Sequence, residues 1–254
     1  MHLRVVTPII PTGLTTSEDF QGILGPEDKV DFTELDAGPA SIESALDKVL
    51  AGPDVVAKII TAERDGVDAV VIDCMEDPGL DAARECVSIP VLGPCQTSMS
   101  FACTLGHKFS LLSVSTGMGR HFDALARTYG MTDKYASTRS VEMPVHSLAK
   151  HPETLRSRLS ECAKSAVNTD GADVIIIGCT GMSDVAQILA EDLRSDGIRV
   201  PVIDPIPTTL RLAKLLVESR LTHSRYGYPR PTTDQIAGFN AASLHDFVSR
   251  DRET

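Results

Sequence analysis

The sequence predicts an α/β protein of two pseudosymmetric lobes, each a doubly wound four-stranded parallel sheet flanked by helices. Three observations carry this. A nine-residue motif occurs twice, as Gly66-Val67-Asp68-Ala69-Val70-Val71-Ile72-Asp73-Cys74 and as Gly171-Ala172-Asp173-Val174-Ile175-Ile176-Ile177-Gly178-Cys179. The same 105-residue step separates Gly66 from Gly171, Asp68 from Asp173 and Cys74 from Cys179. Each copy is a β-branched run that leaves a turn and stops at a cysteine, which is how a buried parallel strand reads. Second, Ile89-Pro90-Val91-Leu92-Gly93-Pro94 is echoed by Val200-Pro201-Val202-Ile203-Asp204-Pro205. Third, strand and helix patterns alternate along the chain, and right-handed helical crossovers between parallel strands give doubly wound sheets. The lobes are expected at residues 1–105 and 106–206. Whether the segment 207–254 packs back onto the first lobe is left open.

In chain order, Leu3 to Thr7 is the first strand, followed by the loop Pro8-Ile9-Ile10-Pro11-Thr12-Gly13, where two prolines exclude regular structure. Val30 to Asp36 alternates and forms the second strand. Ser41 reads as the N-cap of a helix starting at Ile42, with Leu46, Val49 and Leu50 continuing its apolar face. Pro53 is expected to interrupt that helix before a second piece ending near Arg64. After the first cysteine strand come a helix through Asp81 to Cys86, a strand at Pro90 to Leu92 and a helix at Thr97 to Leu105. The pattern then restarts with a strand at Phe109 to Val114, a loop at Ser115-Thr116-Gly117 and a helix at Gly119 to Tyr129. A strand at Ser137 to Met143 and a helix at Pro152 to Val167 follow, the proline in the first turn. The second cysteine strand, a helix at Ser183 to Arg194 and a strand at Val200 to Ile203 finish the second lobe. Pro207 to Arg220 is a further helix, and the tail from Thr222 to Thr254 ends in one amphipathic piece.

Composition narrows the partners. The 254 residues suffice for two cores. A formal net charge of −11 argues against nucleic acid, which wants a basic face, and reads as a well-hydrated surface. No apolar run reaches the roughly 18 residues of a membrane span, and no signal peptide precedes the first strand. A cytoplasmic protein with reduced thiols is therefore expected. The six cysteines are Cys74, Cys86, Cys95, Cys103, Cys162 and Cys179. They form no C-x-x-C pair and have no accompanying His-x3-His, so no metal site is expected.

Two thiols at equivalent strand ends flank one cleft if the lobes face each other. A thiolate is a base and a thiol is an acid of the same residue type. Free cysteine has a pKa of about 8.5, and a helix N-terminus lowers it. One thiolate can take a proton from carbon while the other thiol returns one to the opposite face. That is racemisation or epimerisation without a cofactor, and it makes Cys74 and Cys179 the candidate catalytic residues. Neither motif holds a lysine for an imine, and no phosphate-binding glycine loop follows a strand, so no cofactor is expected. Backbone N–H groups after the strands are candidates to hold a carboxylate or an enolate oxygen: Met75 after Cys74, Thr180 and Gly181 after Cys179, and Thr116 and Gly117 at another strand end. The remaining cysteines read as small buried hydrophobes. Asp68 and Asp173 read as turn residues, Glu76 and Asp77 as loop caps, and His121, His146 and His151 as surface or structural.

These residues reach a family. The chain resembles the cofactor-independent aspartate/glutamate racemase superfamily, and within it the hydantoin/allantoin racemase branch, over nearly its whole length. Gly38-Pro39-Ala40-Ser41-Ile42-Glu43-Ser44 resembles the branch's G-P-x-S-I-E-S. Cys74-Met75-Glu76-Asp77-Pro78-Gly79-Leu80-Asp81 resembles its C-x-x-D-P-G-L-D, and Gly178-Cys179-Thr180-Gly181-Met182 its G-C-A-G-M. Thr222-His223-Ser224-Arg225-Tyr226-Gly227-Tyr228 is similar to its terminal segment. The resemblance implies a cleft between two lobes, Cys74 and Cys179 as the two proton-transfer residues, a small-molecule substrate with a carboxylate or ring carbonyl, and a homo-oligomer. One departure stands out. The branch carries N-P-N-T after the first strand, facing the substrate, and this chain has Thr7-Pro8-Ile9-Ile10, an apolar pair in place of amide and hydroxyl; the resemblance thus implies Thr7, Pro8 and Ile9 against the substrate.

Three rival readings differ in kind. Maleate-type cis–trans isomerisation uses one cysteine as a nucleophile. Decarboxylation in the same superfamily keeps only the second thiol, and here both are present. A non-catalytic two-lobed binding protein would leave the cysteines incidental.

Overall fold

The computed structural model describes residues 1–13, 15–182 and 185–231. Strands β1 (His2–Thr7), β2 (Lys29–Glu34), β3 (Ala69–Ile72) and β4 (Val91–Leu92) form one parallel sheet in the order β2-β1-β3-β4. Strands β5 (Phe109–Ser113), β6 (Tyr135–Ser140), β7 (Val174–Ile177) and β8 (Val202–Ile203) form a second, also parallel, in the order β6-β5-β7-β8. The expected two-lobed α/β architecture is thus present. The repeat extends to register: Val5 lies opposite Val71, and Leu111 opposite Ile176. Every residue of β3 and β7 is buried, which is why both read as unbroken β-branched runs. Asp68 and Asp173 do serve the turns. Asp68 accepts the His2 amide at 2.7 Å, and Asp173 accepts those of His107 and Lys108 at 3.0 and 2.9 Å.

Among the described residues, seven helices cover the sheets: α1 (Ala45–Arg64), α2 (Leu80–Cys86), α3 (Pro94–Leu105), α4 (Thr116–Thr128), α5 (Pro152–Asn168), α6 (Val185–Ser195) and α7 (Pro205–Glu218). Several boundaries differ from those expected. Ser44, not Ser41, caps α1: its hydroxyl accepts the Asp47 amide, while Ser41 donates to Glu43. Pro53 does not break α1. It costs one backbone hydrogen bond, and the buried Ala51, Val55, Ile59 and Ile60 on either side hold the helix against the sheet. Leu46, Val49 and Leu50 do not continue that face; they are 65%, 69% and 54% exposed, because the buried stripe starts only at Ala51. Two 3-10 turns, Ser17–Phe20 and Val145–Lys150, carry no sequence signal that we read.

The helices are exchanged between the sheets. One face of the first sheet packs Val6, Val70 and Ile72 against α1 and α2. The other packs Leu3, Val5, Val71 and Leu92 against Ile206, Leu210 and Ala213 of α7. In turn α3 gives Cys95, Met99 and Ala102 to the core of the second sheet, with Phe109, Leu111 and Ile176. Each fully buried Leu, Ile, Val or Met in such a seam contributes about 1.5–3 kcal/mol.

Residues 222–228 strap the α2–β4 corner. Thr222 donates to the Ser88 carbonyl, and the Val91 amide donates to His223 Nε2 at 2.8 Å. Burial pulls the His223 imidazole down to about pKa 4, so it stays a neutral acceptor. Arg225 spans the carbonyls of Arg84, Glu85 and Val87. The amphipathic piece expected beyond residue 232 lies outside the described residues.

The head of α3 is capped from a distance. Asp77, in the loop after β3, accepts the Cys95 and Gln96 amides at 3.1 and 2.9 Å. Gly93 leaves room for it: a Cβ there would lie 2.3 Å from the Asp77 carboxyl carbon. Gly93→Ala is expected to lower stability by about 1–3 kcal/mol through this overpacking. Gly52→Ala, in helix α1 with nothing within 4 Å of the new methyl, is expected to raise it by up to about 1 kcal/mol. Urea midpoints of the two variants check both signs, and an unchanged midpoint in Gly93→Ala counts against the packing described.

Candidate active site

In both sheets the strand order reverses beside the central pair, β1 with β3 and β5 with β7. Open α/β sheets bind ligands at the carboxyl ends of such pairs. Cys74 follows β3 and Cys179 follows β7, so each thiol stands at its lobe's switch point. Both line one cavity of about 670 Å³ with walls from both lobes. Thr7, Pro8 and Ile9 line it from the end of β1, and Thr180 and Gly181 from the loop after β7. Three of the expected binding residues do not line it. The Met75 side chain is 3% exposed and turns into the second lobe's core. Thr116 and Gly117 head α4, where Glu142 takes both the amide and the hydroxyl of Thr116. Thr116 lines a separate hollow with Arg139, Glu142 and Cys162.

Other wall residues lay outside the sequence reading. Glu18, Asp19 and Phe20 come from the first 3-10 turn, Ser41 and Ile42 from the stretch before α1, and Val145 from the second 3-10 turn. Asp204 and Ile206 come from the head of α7, and Asp73 immediately precedes Cys74. The signal for two of them was a break in the repeat, since Asp73 pairs with Gly178 and Asp204 with Gly93. The backbone at 73 and 178 is equivalent: Asp73 donates to the Val6 carbonyl at 2.9 Å and Gly178 to that of Leu112 at 2.8 Å. A Cβ at 178 would sit 2.7 Å from the Leu112 carbonyl oxygen, so only the first lobe carries a side chain here.

That carboxyl is perturbed. Burial, helped by the charges of Asp19 and Asp204, pushes Asp73 up to about pKa 6, against hydrogen bonds from Thr180 and Thr7. Thr7 Oγ1 donates to it at 3.2 Å. The thiols are perturbed in the same direction. Burial raises Cys74 well above the ordinary thiol value and holds Cys179 at about 11. This corrects the expectation that a helix N-terminus brings Cys74 toward neutrality. Five residues separate it from α2, whose cap is Gly79, so the helix dipole is spent elsewhere. Local amides favour the thiolates instead. The Glu76 N–H donates to Cys74 Sγ at 3.4 Å, and the Gly181 and Met182 amides lie against the Cys179 sulfur.

The loop carrying Cys74 is held by the opposite lobe. Thr180 Oγ1 donates to the Asp73 carbonyl at 3.3 Å, and Tyr129 Oη donates to Asp77 at 2.7 Å. His121 Nδ1 lies 3.4 Å from the Glu76 carboxylate, which Lys48 Nζ approaches at 3.5 Å from α1. Asp77 caps, as expected, and His121 is an inter-lobe partner. Cys86 and Cys95 are buried, Cys103 touches the Met131 sulfur, and Cys162 donates to the Ser140 carbonyl. None of these four lines the cavity.

The family model for Asp/Glu/hydantoin racemases matches residues 16–213. The hydantoin racemase of Rhizobium meliloti is 31% identical over 238 residues, covering 91% of this chain and 95% of that protein. The hydantoin racemase of Pseudomonas sp. (strain NS671) is 36% identical over 195 residues, covering 76% of each. Among solved structures, the allantoin racemase from Klebsiella pneumoniae superposes with a TM-score of 0.83 at 28% identity, covering 91% of this chain and 93% of that one. With its two parallel-sheet lobes and a cysteine at each switch point, this chain belongs to the Asp/Glu/hydantoin racemase family.

Proposed function

We propose that the protein is a hydantoin-type racemase in which Cys74 and Cys179 form the acid–base pair, acting without a cofactor, in the cytoplasm, as a homo-oligomer. The observation that carries this is the convergence of two repeat-equivalent thiols on one cavity. The hydantoin and allantoin racemases it resembles over most of their length support the reaction class. The walls favour a neutral ring over a free carboxylate. Asp73, Asp204, Glu18 and Asp19 line the cavity, and none of its lining residues among those described is a Lys, Arg or His, so the described walls favour a group without negative charge. A hydantoin-like ring offers a carbonyl beside the stereocentre without a net charge.

The chemistry follows from the thiols. The thiolate of one cysteine takes the proton on the ring carbon, and the C–H electron pair moves into the adjacent carbonyl as an enolate. The thiol of the other cysteine gives its proton to the opposite face, and the enolate pair forms the new C–H bond. Thr7 and Thr180 line the cavity with their hydroxyl protons directed to Asp73, which leaves the backbone amides of the strand-end loops as the candidate donors to an enolate oxygen. The apolar Ile9, in place of the branch's amide, leaves room for an apolar ring substituent.

Cys74→Ser and Cys179→Ser are each expected to lower racemisation on the order of 10³-fold, because serine is nearly isosteric but a far weaker base at neutral pH. In heavy water each variant should still exchange the ring proton of one enantiomer, and the two variants should serve opposite enantiomers. Racemisation persisting in either variant rules out the two-base scheme. A covalent adduct found by mass spectrometry points to the maleate-type reaction instead. The pH profile has a defined sign. Only the deprotonated thiol starts the reaction, and both thiols sit above the ordinary value. Wild-type kcat/KM should therefore climb about tenfold per pH unit between roughly pH 7 and 9. A flat profile over that range contradicts thiols raised by burial.

A further inference from the structure

The two halves of the site are electrically unequal. Two residues after each cysteine the repeat sets Glu76 against Gly181. The Cys74 sulfur accepts one amide N–H, from Glu76 itself at 3.4 Å, and lies in the field of that residue's carboxylate. The Cys179 sulfur has two amides against it, from Gly181 and Met182, and the acids that act on it among the described residues, Asp73 and Glu43, come from other elements. Glu76 is 2% exposed and does not line the cavity, so it is no substrate ligand. Its carboxylate is fixed from both lobes, Oε2 by Lys48 Nζ at 3.5 Å and Oε1 by His121 Nδ1 at 3.4 Å. Among the described residues Oε1 meets only this long His121 contact, which is costly for a buried carboxylate.

The neighbouring groups do not supply the asymmetry themselves. Around Cys74 the other acids are Asp77, whose oxygens take Tyr129 Oη and the Cys95 and Gln96 amides, the thiol Cys95, and Cys179 across the cavity. Around Cys179 they are Asp73 and Glu43. Burial raises both thiols, and Glu76 adds to Cys74 alone.

We propose that Glu76, clamped by Lys48 and His121, is a positioning residue that assigns the resting roles, keeping Cys74 the thiol and leaving Cys179 to become the thiolate that starts the reaction. The assignment rests on the two-cysteine reading above. In the first half-reaction Cys179 S⁻ takes the substrate proton and Cys74 S–H delivers its own to the other face. Cys74 is then left as a thiolate beside the Glu76 carboxylate. It takes a proton from water, Cys179 returns one to water, and the starting arrangement is restored with protons in balance. A second role for the carboxylate follows: it biases this reset, since it repels a thiolate at Cys74.

The test is site-resolved alkylation of the full chain by iodoacetamide across a pH series, read by peptide mass spectrometry. In the wild-type protein Cys179 should reach half its limiting alkylation rate at a lower pH than Cys74. In Glu76→Gln the Cys74 midpoint should fall by about one pH unit or more, while that of Cys179 stays in place. Glu76→Gly, which copies the second lobe, repeats the measurement if circular dichroism shows Glu76→Gln unfolded. Three outcomes overturn the assignment: a lower midpoint for Cys74 in the wild type, no shift of Cys74 in the variant, or an equal shift of both cysteines. The wild-type comparison decides even if neither variant folds. Alkylation needs no turnover, so failure of the two-base scheme shows in the single-cysteine variants and failure of this assignment shows here.

Discussion

The structure depends on how the short loop from Asp73 to Asp77 is held. A four-residue strand ends in the core, and the chain must then present a thiol to a cavity without collapsing into it. Contacts from the second lobe prevent the collapse. Thr180 bonds the Asp73 carbonyl, His121 pairs with Glu76, and Tyr129 bonds Asp77. Asp77 in turn caps α3, and α3 packs into the second lobe's core. Position of the first thiol and contact between the lobes are therefore one property of the chain. A change to any member of this set moves the sulfur as well as the stability, which is why buried polar networks are costly to leave half-satisfied.

The exchange of α3 and α7 does similar work on a larger scale. Each follows the last strand of its lobe and begins with a proline, Pro94 or Pro205, whose fixed φ suits a first helical turn. The first helix then crosses to the second core and the last returns to the first sheet. Each lobe lacks one helix of its own and receives one from its partner. A cleft built this way resists opening by a simple hinge, because the apolar seams on both sides must be exposed to part the lobes. The apolar seams of α3 and α7 thus help set how the two cavity walls stand to each other.

Most of the architecture was legible because buried parallel strands leave a strong mark, and the 105-residue repeat doubled it. Cys74 and Cys179 stood out for the same reason. Helix starts were less visible: Ser41 and Ser44 both fit an N-cap, and only the Asp47 contact decides between them. Pro53 misled because a proline's local cost is known while the burial that offsets it is a tertiary property. Thr116 misled because a free hydroxyl at a helix head looks like a ligand until Glu142, 26 residues away, takes it. Asp19 was invisible for a related reason, since nothing in the sequence brings the first 3-10 turn to the cavity wall.

The places where the repeat fails say the most about chemistry. The duplicated strand brings the same group, a thiol, to both sides of the cavity. The loops around those thiols are not duplicated so closely. The deviations are concentrated there: Asp73 against Gly178, Glu76 against Gly181, and Asp204 against Gly93. In each pair an acid faces a glycine, and two of those glycines cannot be otherwise. A Cβ at 93 would strike Asp77, and one at 178 would strike the Leu112 carbonyl. The packing that fixes the scaffold thus decides which lobe has room for a side chain, and the lobe with room carries the charge. Two of the acids, Asp73 and Asp204, reach the cavity wall, and the third, Glu76, stands behind a thiol. The repeated strands bring a thiol to each side of the cavity, and the unequal acids make those two sides chemically different.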